Sequence, residues 1–462
     1  MIRNKLATEP SSFRDPSGQL FYRNGRVLRQ VNKSFAPDFD LLVKSGLYQK
    51  LVDEKMLLPF KKVSKNLALT KDAYCVLETE KIPFISYPYE WSFSQLKDAA
   101  ILTLKIQKIA LDYNMSLKDA SAYNIQFYQG KPVLIDSLSF EKYDEGQPWV
   151  AYRQFCQHFF GPLALMSSKD IRLNRLLLVY VDGLPLNMVS SLLPPQTWLN
   201  FSFLTHLHLH GKSQERFSDA GQEFKKFKMK IGKQSLSAII NSLERAIDKL
   251  ALKKTKSEWS HYYTATNYSQ KAFLEKKRLV TIFLKMDSPR QVWDLGANTG
   301  EFSRLASKQK IETIAFDIDP LAVEKNYLEV KKNNEKHLLP LFSDLTNPSP
   351  SVGWQNTERR SFIERGPTDC VLALALIHHL AISNNLPFGR IAEFMSFMGS
   401  SLIIEFIPKE DSQVQILLST RKDIFSEYNQ NSFESAFGRY FKIIKLQKIA
   451  SSKRILYYMK KL

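Results

Sequence analysis

The chain has 462 residues, 44% hydrophobic and 24% charged, with 65 basic and 46 acidic side chains and a formal net charge of +19. That is enough chain for two or three domains with a sizeable core. No apolar run is long enough to span a bilayer, the N-terminal MIRNKLATEPSSFRDPSG lacks the apolar centre of a signal peptide, and three scattered cysteines (Cys75, Cys156, Cys370) make neither a disulfide framework nor a zinc knuckle. The expectation is a cytoplasmic protein.

Residues 1 to about 205 read as an α+β domain. Short strand-like pieces (FYRNGRVLRQV, AYCVLETE, KPVLIDSLSF) surround one clear helix. That helix starts at Ser92 with Gln95 three residues on, a capping-box pattern. It carries Leu96, Ala99, Leu102, Ile106, Ile109 and Tyr113 at helical spacing.

Farther along, LKDASAYNIQFYQGKPVLIDSLSF spaces Asp119 and Asn124 as D-x-x-x-x-N, with Asp136 following a hairpin-like stretch and the apolar VLI. The pattern resembles the catalytic loop and metal-binding aspartate of the protein kinase and aminoglycoside phosphotransferase fold. The resemblance implies that Asp119 would accept a substrate proton while Asn124 and Asp136 would hold magnesium. The departures are specific. Leu117-Lys118 stands where that fold carries His-Arg or His-Gly, Ser-Leu follows Asp136, and no glycine-rich phosphate loop is visible. No strand lysine stands out either, and Arg29 in RVLRQV is a poor substitute. The same three residues serve equally as turn formers in an unrelated α+β domain, and a substrate-recruiting role fits either fold.

Residues 206–256 read as a basic helical linker. HLHLH places His206, His208 and His210 in alternation, so that all three rings could share one strand face; such a set could bind a metal, and the plainer expectation is a half-exposed strand. In SLSAIINSLERAIDKL, Leu236, Ile239, Ile240, Leu243, Ile247 and Leu250 form an apolar helical stripe. Residues 212–256 hold 12 Lys/Arg against 5 Asp/Glu. Such charge serves solubility or an anionic partner: nucleic acid, an acidic glycan or a membrane surface. No ribonucleoprotein aromatic motif or GXXG loop accompanies it, so nucleic acid stays open.

From about residue 257 strand-like and helix-like segments alternate, as in an α/β domain with a parallel sheet. A strand at Gln291–Trp293 runs into Asp294 and DLGANTGEFSRLAS, where Gly296 and Gly300 permit a tight turn and close approach to a ligand. Their G-x-x-x-G spacing departs from the dinucleotide fingerprint, and Asp294 would repel a pyrophosphate but welcome a cationic ligand. TIAFDIDP ends in Asp317 and Asp319, where a carboxylate can accept ribose hydroxyls. LLPLFSDL ends in Asp344. Two more strands and a terminal pair, FKIIKLQKIA and KRILYYMKK, complete the pattern.

In this order and spacing, DLGANTGEF, AFDIDP, SDLTNPSP and the final strand pair resemble the class I S-adenosylmethionine (SAM)-dependent methyltransferases over about residues 257–462. The resemblance implies a Rossmann-like sheet closed by an antiparallel strand pair and SAM as cofactor. Asp294, Gly296, Asn298 and Gly300 would form the loop under the methionine part, Asp317 would hold the ribose hydroxyls, and Asp344 would sit by the adenine amine. The wording of ISYPYEWSFSQLKDAA and ALALIHHLAISNN also resembles bacterial methyltransferases related to nodulation proteins of the NoeA type. That implies methyl transfer without naming the acceptor.

The fourth strand of this domain, apolar on both faces, ends in His378 and His379. In class I methyltransferases the segment after this strand lines the acceptor pocket, so the two imidazoles are candidates to orient or deprotonate an acceptor. A cap and a packing role are the plainer alternatives. Adjacent histidines diverge, and no Cys/His/carboxylate set stands at ligand spacing, so no metal is expected. Glu405, ending the fifth strand, is a second pocket candidate. The alternatives to a plain methyltransferase are a bifunctional methyltransferase and kinase-like enzyme, and a nucleic-acid-modifying enzyme using the basic segment.

Overall fold

The computed structural model describes residues 6–211, 231–252, 269–419 and 421–462. About half of the basic stretch 212–256 (212–230 and 253–256) lies outside the described residues, as do residues 257–268. The chain divides into two compact units, one made of Met1–Thr255 with Ser351–Arg359, the other of Lys256–Pro350 with Arg360–Leu462.

In the first unit, strands β1 (Leu6–Thr8), β2 (Gly18–Arg23), β3 (Arg26–Asn32), β4 (Phe60–Val63) and β5 (Ala73–Thr79) form an antiparallel sheet ordered β1-β2-β3-β5-β4. The FYRNGRVLRQV segment is a hairpin. Asn24 and Gly25, both at positive φ, make the two-residue turn that joins β2 to β3. Two helices, Ala36–Lys44 and Leu47–Asp53, connect β3 to β4.

The helix anticipated from Ser92 runs Phe93–Asp112, and its capping box is complete: Ser92 Oγ accepts the Gln95 amide while Gln95 Oε1 accepts the Ser92 amide at 2.9 Å. Its buried face turns slightly from the expected stripe, taking in Leu104 and Leu111 while Leu102 and Ile109 are only half-buried. Beyond it, β6 (Met115–Leu117) pairs with β9 (Phe140–Lys142), and β7 (Ile125–Tyr128) with β8 (Lys131–Leu134). The predicted stripe of the helix Lys233–Asp248 is buried at Leu236, Ile240, Leu243 and Ile247. Lys97 of the long helix donates to the carbonyls of Asp248 and Leu250 just beyond it.

One expectation fails here. HLHLH is helical, part of a turn over Leu204–His208, and not a strand. Five alternating positions are too short a run to fix the period, and the rings' hydroxyl partners are met from a helical turn. His206 bonds Tyr152 and Ser242, and His208 bonds Ser190 and Thr197 while stacking on Trp198. No group of three metal-binding side chains exists among the described residues, nor is any described helix long and apolar enough to cross a membrane.

The second unit is built on a seven-stranded sheet. β10 (Gln291–Leu295), β11 (Glu312–Asp317), β12 (Leu338–Phe342), β13 (Thr368–Ala373) and β14 (Gly399–Phe406) are parallel. β15 (Phe441–Lys448) and β16 (Ile455–Lys461) are an antiparallel pair, and β16 runs antiparallel to β14. The order β12-β11-β10-β13-β14-β16-β15 matches the anticipated sheet closed by a terminal pair. The central strands are buried on both faces, which is why they read as continuous apolar runs. The helix Gln270–Asp287, capped by Ser269, buries Leu279, Val280, Phe283 and Leu284 in a core with Val292, Leu372, Ile403 and Leu456.

Candidate active site at the carboxyl edge of the parallel sheet

Sheet order reverses between β10 and β13: β11 and β12 lie to one side of β10, β13 and β14 to the other. In open α/β sheets the crevice at such a reversal, outside the carboxyl ends of the strands, is where ligands bind. The loops that end β10, β11, β12 and β13 carry nearly every candidate residue of this unit.

The β10 loop is the tightest of them. Gly296 and Gly300 have φ of +74° and +82°, and Asn298 between them has +50°. The amides of Gly296 and Ala297 both donate to the Phe316 carbonyl at 2.9 Å, which staples the turn to β11. A Cβ on Gly300 would meet Asn326 and Arg304 at 2.6–2.7 Å, and one on Gly296 would meet Leu376 at 3.3 Å. The latter contact also brings the β10 loop against the segment that follows β13.

Asp294 and Asp317 are buried, 2% and 8% exposed. Asp294 accepts Ser303 Oγ at 2.6 Å, and burial pushes its carboxyl up to about 6. Asp317 accepts the amides of Asn298 (2.7 Å) and Asp319 (2.8 Å); burial raises it to about 6 as well. A carboxylate has about four acceptor sites, so Asp317 retains capacity for further donors. Asp319 caps the helix Pro320–Asn333 by accepting the Leu321 amide. Asp344 follows β12, half-buried, and its Oδ1 accepts both the amide and the hydroxyl of Thr346.

Across the reversal, β13 ends at Ala373. Ala375 adopts a left-handed φ of +51°, and the chain then winds into a short helical turn bearing His378 and His379. The two rings lie 4.1 Å apart, centroid to centroid. His378 is 1% exposed, and its Nδ1 has no hydrogen-bond partner. Burial lowers both imidazoles, His379 to about 4, with Arg454 adding to the effect on each. Both rings are therefore neutral at physiological pH, the form that can accept a proton.

Glu405, fully buried on β14, belongs to a charge cluster that the sequence did not announce. Lys276 Nζ donates to Glu405 Oε2 at 2.6 Å, and the Ala375 amide donates to the same oxygen at 2.8 Å. Arg454 lies 3.6 Å from Glu405 Oε1 and bonds Asp411 at 2.7 Å. Lys276 also sits 4.5 Å from the Phe302 ring centroid. Lys276, Ser303, Ala375 and Arg454 went unrecognised in the sequence. Lys276 looks like one more surface charge in FLEKKR, and its partner is 129 residues away.

In the first unit, the turns around β6–β9 bring together Asp119, Asn124 and Asp136. Asp119 is raised by burial and by Asp136; Asn124 and Gln154 are its side-chain partners. Asn124 Nδ2 reaches Ser139 Oγ at 3.3 Å. Asp136 Oδ1 is bound by Arg29 at 2.7 Å, and the same guanidinium holds Asp15 at 2.8 Å. Asp136 thus already has a resident cation.

No family model matches the sequence. The nodulation protein NoeA of Rhizobium meliloti (strain 1021) is 36% identical over 452 residues, covering 96% of this chain and 94% of that protein. Among solved structures, N-methyltransferase NodS from Bradyrhizobium japonicum WM9 aligns with 9% identity over 42% of this chain and 98% of its own, at a TM-score of 0.30. Magnesium protoporphyrin IX methyltransferase (ChlM) from Synechocystis PCC 6803 with bound SAH aligns with 16% identity over 44% of this chain and 91% of its own, at 0.31. The bifunctional kinase-methyltransferase WbdD aligns with 14% identity over 42% of this chain and 40% of its own, at 0.29.

Proposed function

The chain belongs to the family of the nodulation protein NoeA, and we propose that it is a class I methyltransferase that moves a methyl group from SAM to an acceptor bound beside His378 and His379. The observation that carries this reading is the sheet order β12-β11-β10-β13-β14-β16-β15, with the glycine turn and Asp317 on its ligand edge.

The residues present fit the cofactor. Gly296 and Gly300 let the turn close at positive φ, and at Gly300 a Cβ would collide with Asn326 and Arg304. Asp317 keeps acceptor capacity for a pair of ribose hydroxyls, and Asp294 supplies a buried carboxylate that suits a cationic ligand better than a phosphate. Bound there, SAM would supply an electrophilic methyl on a sulfonium. The chain's own contribution is chiefly positional, since in-line displacement gains most from alignment and exclusion of water. His378, buried and neutral with Nδ1 unpartnered, would accept a hydrogen bond from a hydroxyl or amine acceptor and so orient it; burial makes the imidazole a weak base, which favours orientation over proton removal.

For the first unit we propose a kinase-like fold that recruits the acceptor. The hairpin β7–β8 between Asn124 and Asp136, framed by the β6–β9 pair, supports it. The ion pair of Arg29 with Asp136 favours recruitment over phosphotransfer.

Calorimetric titration of the full chain with S-adenosylhomocysteine, beside Asp317→Ala, tests the proposal. Micromolar binding lost in the variant supports it; an intact chain that binds neither this product nor SAM defeats it.

A further inference from the structure

The charge cluster on β14 lies next to the methyl-transfer site without touching the residues assigned to the cofactor's ribose, and its geometry has a consequence for the two histidines. Ala375 is an L-residue held at φ +51°, a conformation that favours glycine. Its amide points at Glu405 Oε2, 2.8 Å away. That oxygen is fixed from the other side by Lys276 at 2.6 Å, and the other carboxylate oxygen faces Arg454 at 3.6 Å. Arg454 is itself held by Asp411 through two bonds, at 2.7 and 3.1 Å. All three central side chains are nearly sealed from solvent, with exposures of 0–4%. Three other elements converge on this one carboxylate of β14: the helix Gln270–Asp287, the loop before β16, and the turn after β13.

We propose that Glu405 is a positioning residue for methyl transfer: its carboxylate, locked by Lys276 and Arg454, holds the Ala375 amide and so fixes the left-handed turn that aims His378 and His379 into the acceptor site. This deepens the methyltransferase reading and rests on it. A neutral backbone turn is tied to a charged acceptor, a stronger bond than a carbonyl could give, and the strain at Ala375 is held by the surrounding packing. The same arrangement presents two cations, Lys276 and Arg454, toward the imidazoles, while Glu405 and Asp411 balance them. Asp294 is a further charged neighbour of Lys276. Glu405 therefore acts through the turn, not on the acceptor, and its place at the end of β14 is explained without a catalytic role.

The test uses the full-length chain with Lys276→Met and Glu405→Leu introduced together, which leaves net charge unchanged and strands no partner of this pair. Hydrogen exchange is read by mass spectrometry over residues 373–380, and the His378 and His379 imidazole resonances are titrated by NMR, assigned with His378→Gln and His379→Gln. The expected result is exchange at least about tenfold faster at Ala375, with β13 and β14 still protected, and the His379 imidazole titrating about one pH unit higher than in the parent. A role confined to stability would speed exchange in β13 and β14 along with Ala375, and loss of the Lys276 cation by itself would raise His378 without His379. Unchanged exchange and unchanged titration in the folded variant would overturn the proposal. Should that pair fail to fold, Lys276→Gln with Glu405→Gln keeps the shape, and the same readouts apply with about threefold faster exchange expected. S-adenosylhomocysteine binding by the parent chain is measured alongside. Its absence would defeat the methyltransferase reading, while the exchange data would still decide the role of Glu405.

Discussion

The Asp317 carboxylate accepts the Asn298 amide at 2.7 Å, so the end of β11 and the glycine turn after β10 are one hydrogen-bonded assembly. The residue assigned to the ribose hydroxyls also shapes the loop assigned to the methionine part, and the two functions cannot be separated by mutation at Asp317.

Asp317→Asn should therefore weaken S-adenosylhomocysteine binding by about 1–3 kcal/mol, the range for hydrogen bonds to a charged group. Calorimetry on both forms reads this directly, and equal affinities would remove Asp317 from the site.

The same substitution should flatten the pH dependence of stability. Burial lifts the carboxyl from 3.8 to about 6, so the folded state keeps a proton that the unfolded chain releases between these values. Stability contributed by that proton is full below pH 4, falls as pH rises to 6, and is absent above it. Asp317→Asn should reduce the fall in stability between pH 4 and pH 7.5 by about 1–3 kcal/mol, whatever the loss of one amide acceptor costs at both pH values. Denaturant melts at the two pH values give the comparison; an equal fall in both forms would contradict it.

His158 has the opposite sign. Burial lowers it to about 4, and its Nδ1 has no hydrogen-bond partner. The unfolded chain takes up a proton below pH 6.5 that the folded form refuses, so stability grows as pH rises from about 4 to 6.5. His158→Gln should flatten the stability–pH curve in this window and leave it unchanged between pH 7 and 8.

Gly300→Ala should be the more damaging of the two glycine substitutions in the β10 loop. Its φ is +82°, and the added Cβ would press on Asn326 and on Arg304, which is anchored by Glu335 and the Thr299 carbonyl. Strain of this kind costs about 1–3 kcal/mol. Gly296→Ala, whose nearest contact is 3.3 Å, should lose less. Thermal melts of both variants rank them.

Arg29→Met should destabilise the first unit by about 3–5 kcal/mol, because Asp136 and Asp15 would be left without their shared cation. Arg29→Lys should recover only part, since an ammonium cannot bridge two carboxylates as a planar guanidinium does. Chemical denaturation of the three forms measures both steps, and full recovery by lysine would refute the bridging role.

The sequence by itself determined whatever depends on local period and turn chemistry. The doubly buried strands of the second unit showed as unbroken apolar runs, the capping box at Ser92 and Gln95 marked a helix start to the residue, and the glycines at 296 and 300 marked a tight turn at positive φ. The order of Asp294, Gly296, Asp317 and Asp344 along the chain followed from strands that end on one edge. Five alternating residues at HLHLH could not separate strand from helix, because so short a run does not fix the period. Only the tertiary structure decided the charge cluster. Lys276, Ala375, Glu405 and Arg454 are far apart in the chain and meet because β13 and β14 are neighbours in the sheet, with β16 beside β14. A buried ion pair between distant segments leaves no local pattern, since each partner taken alone looks like any solvated charge.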